Sequence, residues 1–257
     1  MTLLTHDSIS LRGSGVVTIA QPGKGFRFTL DSLLLADFCR IQPHDRVLEP
    51  GAGTGTVSLL LAKKFPAAAF IADEIEPRAY ELLGLNIEAN GLSKNIISLT
   101  QDIGSLNQSL ERESFDVIVA NPPYTRSGTG RKSPSNERLI ARHDQTASLP
   151  LWLDLQSLLK NKGRYLLVFP ANRMGELIAL LRERKLEPKQ LRFVHPFEDK
   201  PASIVLVEAI KSGGTGLTVL PPLIVHEAGG GYTTEMREIY GLQGLDSGSN
   251  KQQHKTN

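Results

Sequence analysis

A strand, a glycine turn and a helix follow one another without interruption between Val47 and Ala62. Residues 47–55 read VLEPGAGTG, and residues 57–62 continue with the apolar run VSLLLA. Glycine accepts a positive φ and lets the backbone approach a ligand closely. Strand–turn–helix units of this kind build α/β sheets, and the amino end of such a helix suits a nucleotide-type ligand. A tight connection without any ligand would show the same pattern.

The spacing of the glycines separates this turn from a dinucleotide site. Gly51, Gly53 and Gly55 give G-x-G-x-G, and Thr56 stands where a G-x-G-x-x-G fingerprint has its third glycine. That third glycine permits close packing of helix on strand in dinucleotide-binding folds. The turn therefore favours a nucleotide-type ligand other than a dinucleotide.

Acidic residues follow the next two predicted strands. Residues 68–72 form an apolar run that ends in Asp73 and Glu74, and residues 96–100 are followed by Asp102. Glu74 stands about 20 residues after the glycine turn, where an acceptor for ribose hydroxyls belongs. Asp73 should point to the opposite face of its strand, and Asp102 could accept from an adenine amino group. Each acid alone could equally be a helix cap or a solvated strand end.

A fourth predicted strand, residues 115–120, leads directly into Asn121, Pro122, Pro123 and Tyr124. Ligands of open α/β sheets bind at the carboxyl ends of the strands. The two prolines remove two backbone donors and prevent a helix from starting there. What remains is a set of acceptors, the Asn121 side chain and the Pro122 carbonyl, beside one aromatic ring. Such a set suits a planar group that carries an NH₂, although an ordinary Asn-Pro turn gives the same letters.

The glycine turn, Glu74, Asp102 and residues 121–124 resemble, in order and spacing, the motifs of class I S-adenosylmethionine-dependent methyltransferases that act on exocyclic amines. The resemblance implies an α/β, Rossmann-like fold: a seven-stranded, mostly parallel sheet with helices on both faces and an antiparallel edge strand. It implies S-adenosylmethionine as the cofactor and no metal. Cofactor contacts are expected at Glu49, Gly51, Gly53, Gly55, Glu74, Asp102 and Asn121. Catalytic contacts are expected at Asn121, Pro122, Pro123 and Tyr124.

Further stretches narrow the resemblance to bacterial tRNA adenine methyltransferases, which modify the adenine 3′ of the anticodon in a valine tRNA. Residues 21–36, QPGKGFRFTLDSLLLA, look like the N-terminal signature of that subgroup, and residues 140–144, 194–196, 221–223 and 231–233 look like its shorter motifs. The resemblance covers roughly residues 15–240. It implies a tRNA partner and places Arg27 and Asp31 at the mouth of the site, where a surface charge and a helix cap are the plainer interpretations.

Several other substrates share the same tetrapeptide chemistry, because it recognises an NH₂ and not the surroundings of that group. Ribosomal RNA, DNA and the glutamine side chain of a protein stay open as alternatives, as does a non-catalytic RNA-binding module. Only 46 residues precede Val47, which is short for the helical N-terminal domain of the enzymes that methylate protein glutamine.

The segment after the tetrapeptide is basic. Between Thr125 and Asp144 there are five basic and two acidic residues, a local charge of +3 in a chain whose net charge is +2. We interpret this segment as a mobile basic flap beside the active site that contacts RNA phosphates; a solvated loop is the alternative. The expected phosphate-binding residues are Arg126, Arg131, Lys132 and Arg142.

The composition of the chain excludes several structural features. A single cysteine, Cys39, excludes an internal disulfide, and no Cys/His spacing suggests a metal site. No apolar run approaches the roughly 20 residues of a membrane helix, and residues 1–10 lack the pattern of a signal peptide. We expect a cytoplasmic monomer that forms one domain over residues 1–245. Within it, residues 1–46 line the site, residues 47–210 form the core and residues 217–240 are a small addition, followed by a disordered tail at 246–257.

The later part of the sequence predicts the remaining elements. Apolar spacing predicts helices at residues 149–160 and 174–185, and strands at 164–169, 190–194 and 202–210. The last two strands have no helix between them and should form an antiparallel pair at the edge of the sheet. Residues 217–226 are expected to add a strand and residues 234–240 a short helix.

Overall fold

The chain forms a two-stranded hairpin and one mixed sheet within residues 4–23, 29–123 and 149–242, the part that the computed structural model describes. The hairpin consists of β1 (Leu4–Leu11) and β2 (Gly15–Pro22). The sheet consists of β3 (Arg46–Pro50), β4 (Ala69–Asp73), β5 (Ile96–Leu99), β6 (Phe115–Ala120), β7 (Leu159–Pro170), β8 (Leu186–His195), β9 (Ile204–Lys211), β10 (Thr218–Val219) and β11 (Leu223–Ile224).

The order of the strands is that of a doubly wound sheet. It runs β10-β8-β9-β7-β6-β3-β4-β5, and β11 also pairs with β8. All pairs are parallel except those of β9, which is antiparallel to both β7 and β8. The predicted fold class and antiparallel pair are thereby confirmed. Among the described residues the sheet has nine strands and not the expected seven, because β8 also carries β10 and β11; the antiparallel β9 therefore lies two places inside the edge formed by β10.

Helices cover both faces of the sheet. They are α1 (Leu30–Phe38), α2 (Thr56–Lys64), α3 (Pro77–Ala89), α4 (Leu106–Ser109), α5 (Leu149–Asp154), α6 (Met174–Glu183) and α7 (Thr234–Ile239). Successive strand residues point to opposite faces, so Val117 and Val119 pack in one core with α1, α2 and the hairpin, while Ile118 and Ala120 pack in a second core with α5 and α6.

Some predicted boundaries are wrong. The helix expected over 149–160 ends at Asp154; one 3₁₀ turn, Leu155–Leu158, follows, and β7 has begun by Leu159. Leucines at 155, 158 and 159 fit a helical spacing, but Leu159 pairs with Phe115 in the sheet, and that pairing decides its conformation. The strand expected over 217–226 splits into β10 and β11, because two prolines at 221 and 222 interrupt it.

The sequence did not lead us to expect the hairpin of β1 and β2, and it assigned no structure to residues 4–22. Its strands pair over their full length, from Leu4 with Pro22 to Leu11 with Gly15. The single cysteine, Cys39, is buried and free. The tail at 246–257 lies outside the described residues.

Candidate active site

The four predicted site segments lie side by side. Strands β6, β3, β4 and β5 are neighbours in that order and run parallel, so their carboxyl ends meet at one edge. Along this edge stand Asn121, the glycine loop, Glu74 and Asp102. The chain leaves β3 towards β4 and β5 and returns as β6 on the other side. The crevice between β3 and β6 is therefore the switch point where α/β sheets bind ligands.

The three glycines of the loop do different things, although all have positive φ. A Cβ at Gly51 would stand 2.5 Å from Cη2 of the buried Trp152, and one at Gly55 would stand 2.5 Å from Cδ1 of Leu83. A Cβ at Gly53 would meet no atom within 4 Å. Gly51 and Gly55 thus make room for the protein's own helices α5 and α3, while Gly53 alone borders open space.

Glu74 fixes that open position. Its carboxylate accepts from Gly53 N–H at 2.7 Å and from Glu76 N–H at 2.8 Å. An ionised carboxylate has about four lone-pair sites, so two backbone bonds leave acceptor capacity for hydroxyl groups. Glu74 therefore holds the glycine loop to the end of β4 and can still accept from a ribose.

Glu49 supports the loop from below. It is buried, and its carboxyl group accepts from both the backbone N–H at 2.8 Å and the hydroxyl of Ser58, in the first turn of α2. Burial raises the pKa of Glu49 to about 8, the two bonds from Ser58 oppose that rise, and the charge of Glu74 adds to it. The structure thus places Glu49 as a cap on α2 rather than on the surface of the crevice.

The two remaining acids differ in exposure. Asp73 is buried and accepts from Gln101 N–H at 2.9 Å, towards β5 and away from the glycine loop. Burial raises the pKa of Asp73 to about 7, with the bond from Gln101 opposing it. Asp102 is exposed and accepts from Gly104 N–H at 2.8 Å, so it shapes the turn after β5 while facing solvent.

Asn121 stands directly at the end of β6, and its Nδ2 donates to the Ser32 hydroxyl at 3.2 Å. Asp31, the neighbour of Ser32, is buried in the first turn of α1. The N-terminal segment therefore contacts Asn121 through Ser32. Six expected site residues lie outside the described part of the chain: Arg27, Tyr124, Arg126, Arg131, Lys132 and Arg142.

Sequence reasoning missed Asn86 in α3. Its side chain donates to Ala20 O at 3.0 Å and Thr54 O at 2.9 Å, and accepts from Ala20 N–H at 2.7 Å. It therefore ties the hairpin to the glycine loop. A signal existed, because Asn86 is a polar residue on the apolar face that Leu82, Leu83 and Ile87 define, but its partners are far away in sequence.

Comparisons with known proteins agree with this geometry. Residues 26–147 match the family model of the methyltransferase small domain. A protein of Porphyromonas gingivalis, named tRNA1(Val) (adenine(37)-N6)-methyltransferase, is 31% identical over 227 residues, which cover 84% of this chain and 88% of the relative. A protein of the same name from Parabacteroides distasonis is 34% identical, over 69% of this chain and 74% of its own length.

The chain belongs to this methyltransferase family. The predicted family is thereby confirmed, and with it S-adenosylmethionine as the cofactor. The fold also matches solved structures: a predicted O-methyltransferase from Agrobacterium tumefaciens superposes with a TM-score of 0.67 at 22% identity, over 82% of this chain and 96% of that one.

The crevice fits S-adenosylmethionine. The open side of Gly53 allows a ligand to lie against the backbone, and the acceptor groups of Glu74 and Asp102 follow on the next two strands. The amino end of α2 has a left-handed Gly55 as its cap. Glu49 occupies the N–H of Ser58, so the N–H groups of the two helical residues before Ser58 can serve an anionic group. Gly53, Glu74, Asp102 and the start of α2 are the groups that would hold the cofactor.

The described residues contain neither a metal-binding cluster nor a membrane-spanning helix. No group of three or more His, Cys, Asp or Glu side chains is arranged to hold a metal ion there. Among the helices of the same residues, none has the length and apolar character to cross a membrane.

Proposed function

We propose that this protein transfers a methyl group from S-adenosylmethionine to the exocyclic N6 of adenine 37 in a valine tRNA. Two relatives of this chain are named for this activity, and their names are the first support for the proposal. The observation that carries the proposal in this chain is the position of Asn121, at the end of β6 and directly beside the glycine loop that follows β3. An acceptor for an amino group and a cofactor crevice are thus neighbours at the switch point of the sheet.

The residues of the chain have a limited chemical task. When bound, S-adenosylmethionine supplies a methyl group already activated by its sulfonium. The adenine amine is a weak nucleophile, because its lone pair is delocalised into the ring. Hydrogen bonds from the amine to the Asn121 Oδ1 and the Pro122 carbonyl favour a pyramidal nitrogen and strengthen as positive charge develops there.

Orientation supplies much of the remainder of the rate. The nitrogen lone pair would form the new N–C bond as the C–S bond breaks, and the electron pair of the C–S bond would stay on the sulfur. The nitrogen then releases one proton to solvent, so the chain needs no histidine base. Tyr124 follows Asn121 by three residues and is proposed to stack on the extruded adenine, which leaves a loop more easily than a duplex.

The deciding experiment uses the purified protein, S-adenosylmethionine and an unmodified valine tRNA transcript, with mass spectrometry of the digested RNA. We expect N6-methyladenosine at position 37, and none in a transcript that has guanosine there. Asn121→Ala should lower kcat by about 100-fold, the size expected for loss of a hydrogen bond made in the transition state. The dissociation constant of the cofactor should change far less than kcat.

The rival substrates are outcomes of the same assay. Methylation of ribosomal RNA, DNA or a protein glutamine with no methylation of the tRNA would replace the proposed substrate by that one. Binding of RNA without methyl transfer to any of them would favour the non-catalytic module. Asn121→Ala with a wild-type rate would show that the asparagine does not hold the amine.

The proposal also covers the cellular location, the oligomeric state and the metal content of the protein. We propose that it works in the cytoplasm as a metal-free monomer. Transfer from a sulfonium needs no metal, and the site segments described above all come from one chain. Activity that persists in a chelator, together with the mass of the active species in light scattering, tests these two points.

A further inference from the structure

The side chain of Asn121 presents two chemically opposite ends that are almost the same size. Its oxygen accepts and its nitrogen donates, and rotation by 180° about the last torsion exchanges them. Only one orientation can bind an amine. If the nitrogen faced the substrate, two donors would meet and the hydrogen bond would be lost. The proposed function therefore needs an acceptor in the protein for the nitrogen when the oxygen faces the substrate.

The two residues after Asn121 offer no competing backbone donor to its side-chain oxygen. An asparagine side-chain oxygen commonly accepts from the N–H two residues further along the chain. Here residues 122 and 123 are both prolines, which have no N–H. The oxygen of Asn121 is therefore not drawn into a local turn by either of its two following residues.

Ser32 provides a partner for the nitrogen. Asn121 Nδ2 donates to Ser32 Oγ at 3.2 Å, across a separation of 89 residues. With the nitrogen held on the side of α1, Oδ1 is directed away from the serine. This is the orientation that an amine substrate requires.

The position of Ser32 is fixed by packing. It lies in the first turn of α1 and is itself buried, and its backbone N–H donates to Thr29 O at 3.1 Å. The residues that follow it, Leu33, Leu34, Leu35 and Ala36, are all buried in the core between α1 and the sheet. Since the helix cannot slide or turn in such a core, the hydroxyl stays at one place beside the end of β6.

We propose that Ser32 is a positioning residue for methyl transfer: it holds the amide of Asn121 with the oxygen towards the substrate amine. This rests on the proposed function. Ser32 touches neither the cofactor nor the base in this role, and it acts only through Asn121.

The test compares Ser32→Ala with two matched variants. Ser32→Ala should lower kcat about five- to tenfold, the effect of losing one net hydrogen bond of about 1 kcal/mol. The KM for tRNA and the dissociation constant of the cofactor should change less than twofold. Ser32→Thr keeps the hydroxyl and should restore at least half of the wild-type kcat. Ser114→Ala, which removes another buried serine hydroxyl at the opposite end of β6, should leave kcat unchanged.

A double variant separates positioning from a general loss of structure. In the Asn121→Ala background, Ser32→Ala should have no further effect on kcat, because the amide it orients is gone. An equal loss in both backgrounds would overturn the proposal, as would a Ser32→Ala enzyme with wild-type kcat. If wild-type protein methylates the tRNA and Asn121→Ala does not, while Ser32→Ala is normal, the proposed function stands and only this inference fails.

Discussion

At the scale of single residues, the site shows that one motif contains residues with unrelated tasks. Gly51 and Gly55 lack side chains because Trp152 and Leu83 occupy the space, whereas Gly53 faces the open crevice. Glu49 serves the start of α2, and Glu74 serves the backbone of Gly53. Substitutions within residues 47–55, the glycine motif, should therefore separate effects on folding from effects on cofactor binding.

The glycines give the first such separation. Gly53→Ala should weaken binding of S-adenosylmethionine at least tenfold, because the new methyl group enters the crevice. Its cost in stability should be only that of a left-handed alanine, roughly 1–2 kcal/mol. Gly91→Ala is the matched control: it has φ +68 against +59 for Gly53, also with no atom within 4 Å, but it lies at the end of α3.

Gly51→Ala should show the opposite balance, because its methyl group would meet the rigid indole ring of Trp152. We expect it to unfold at lower urea concentration than either of the other two variants. Calorimetric titration with the cofactor and urea denaturation measure the two effects. Equal cofactor affinity in Gly53→Ala and Gly91→Ala would show that Gly53 does not border the cofactor.

A second residue-scale prediction concerns pH. The pKa of Glu49 is raised from an ordinary 4.5 to about 8. Between these values the folded protein holds a proton that the unfolded chain has released, so Glu49 makes stability fall as pH rises. The fall is at most about 1.4 kcal/mol per pH unit for one group and ends above pH 8. Asp73, with its pKa raised to about 7, acts in the same direction at lower pH.

Glu49→Gln should therefore flatten the loss of stability between pH 7 and pH 8, where Asp73 is already at least half titrated and its share of the slope is falling. Glutamine can still accept from Ser58 N–H, so the variant should fold. Urea denaturation at several pH values measures the slope, and the exposed Glu111→Gln is the control. A Glu49→Gln protein with the wild-type slope in this window would contradict the prediction.

At the scale of elements, the sequence predicted those strands and helices whose formation depends on short-range patterns. Strands β3 to β6 are short, largely apolar runs, and the expected site residues stand at their carboxyl ends. The hairpin and the end of the helix at Asp154 depend instead on partners far along the chain. The same holds in the site: the bond from Asn121 to Ser32 spans 89 residues and has no local signature.

The C-terminal motifs show how such partners come together. Residues 194–196, 221–223 and 231–233 meet because β11 pairs with the end of β8. Val225 N–H donates to His195 O at 2.9 Å, and the rings of His226 and Tyr232 stack at 5.3 Å. In the sequence these three motifs are separate resemblances. In the structure they contact one another and attach residues 217–240 to the sheet.

At the scale of the whole molecule, the proposed substrate, tRNA, is a polyanion, but the net charge of the chain is only +2. Local groups of cations must therefore attract the RNA. Residues 125–144 carry a local charge of +3, and they follow directly after the residues proposed to bind the amine. If these cations bind RNA phosphates, their removal should reduce tRNA affinity and also the number of counterions released on binding.

The last prediction tests that role with two variants of equal charge. The first changes four cations of this segment to glutamine: Arg126, Arg131, Lys132 and Arg142. The second changes four exposed cations that lie near the amino ends of strands, away from the site edge: Lys94, Arg112, Arg182 and Lys185. Both lower the net charge by the same amount, so a difference between them reports position and not total charge.

The first variant should raise the dissociation constant for tRNA and reduce the slope of log K against log salt by about 0.7–0.9 for each phosphate that the protein no longer neutralises. The second should change affinity only slightly, since its cations lie towards the opposite edge of the sheet from the site. Cofactor affinity should be unchanged in both, and the first should still methylate the same adenine when RNA is saturating. Equal salt slopes in the two variants would show that residues 125–144 are an ordinary solvated loop, and that tRNA is held by another surface.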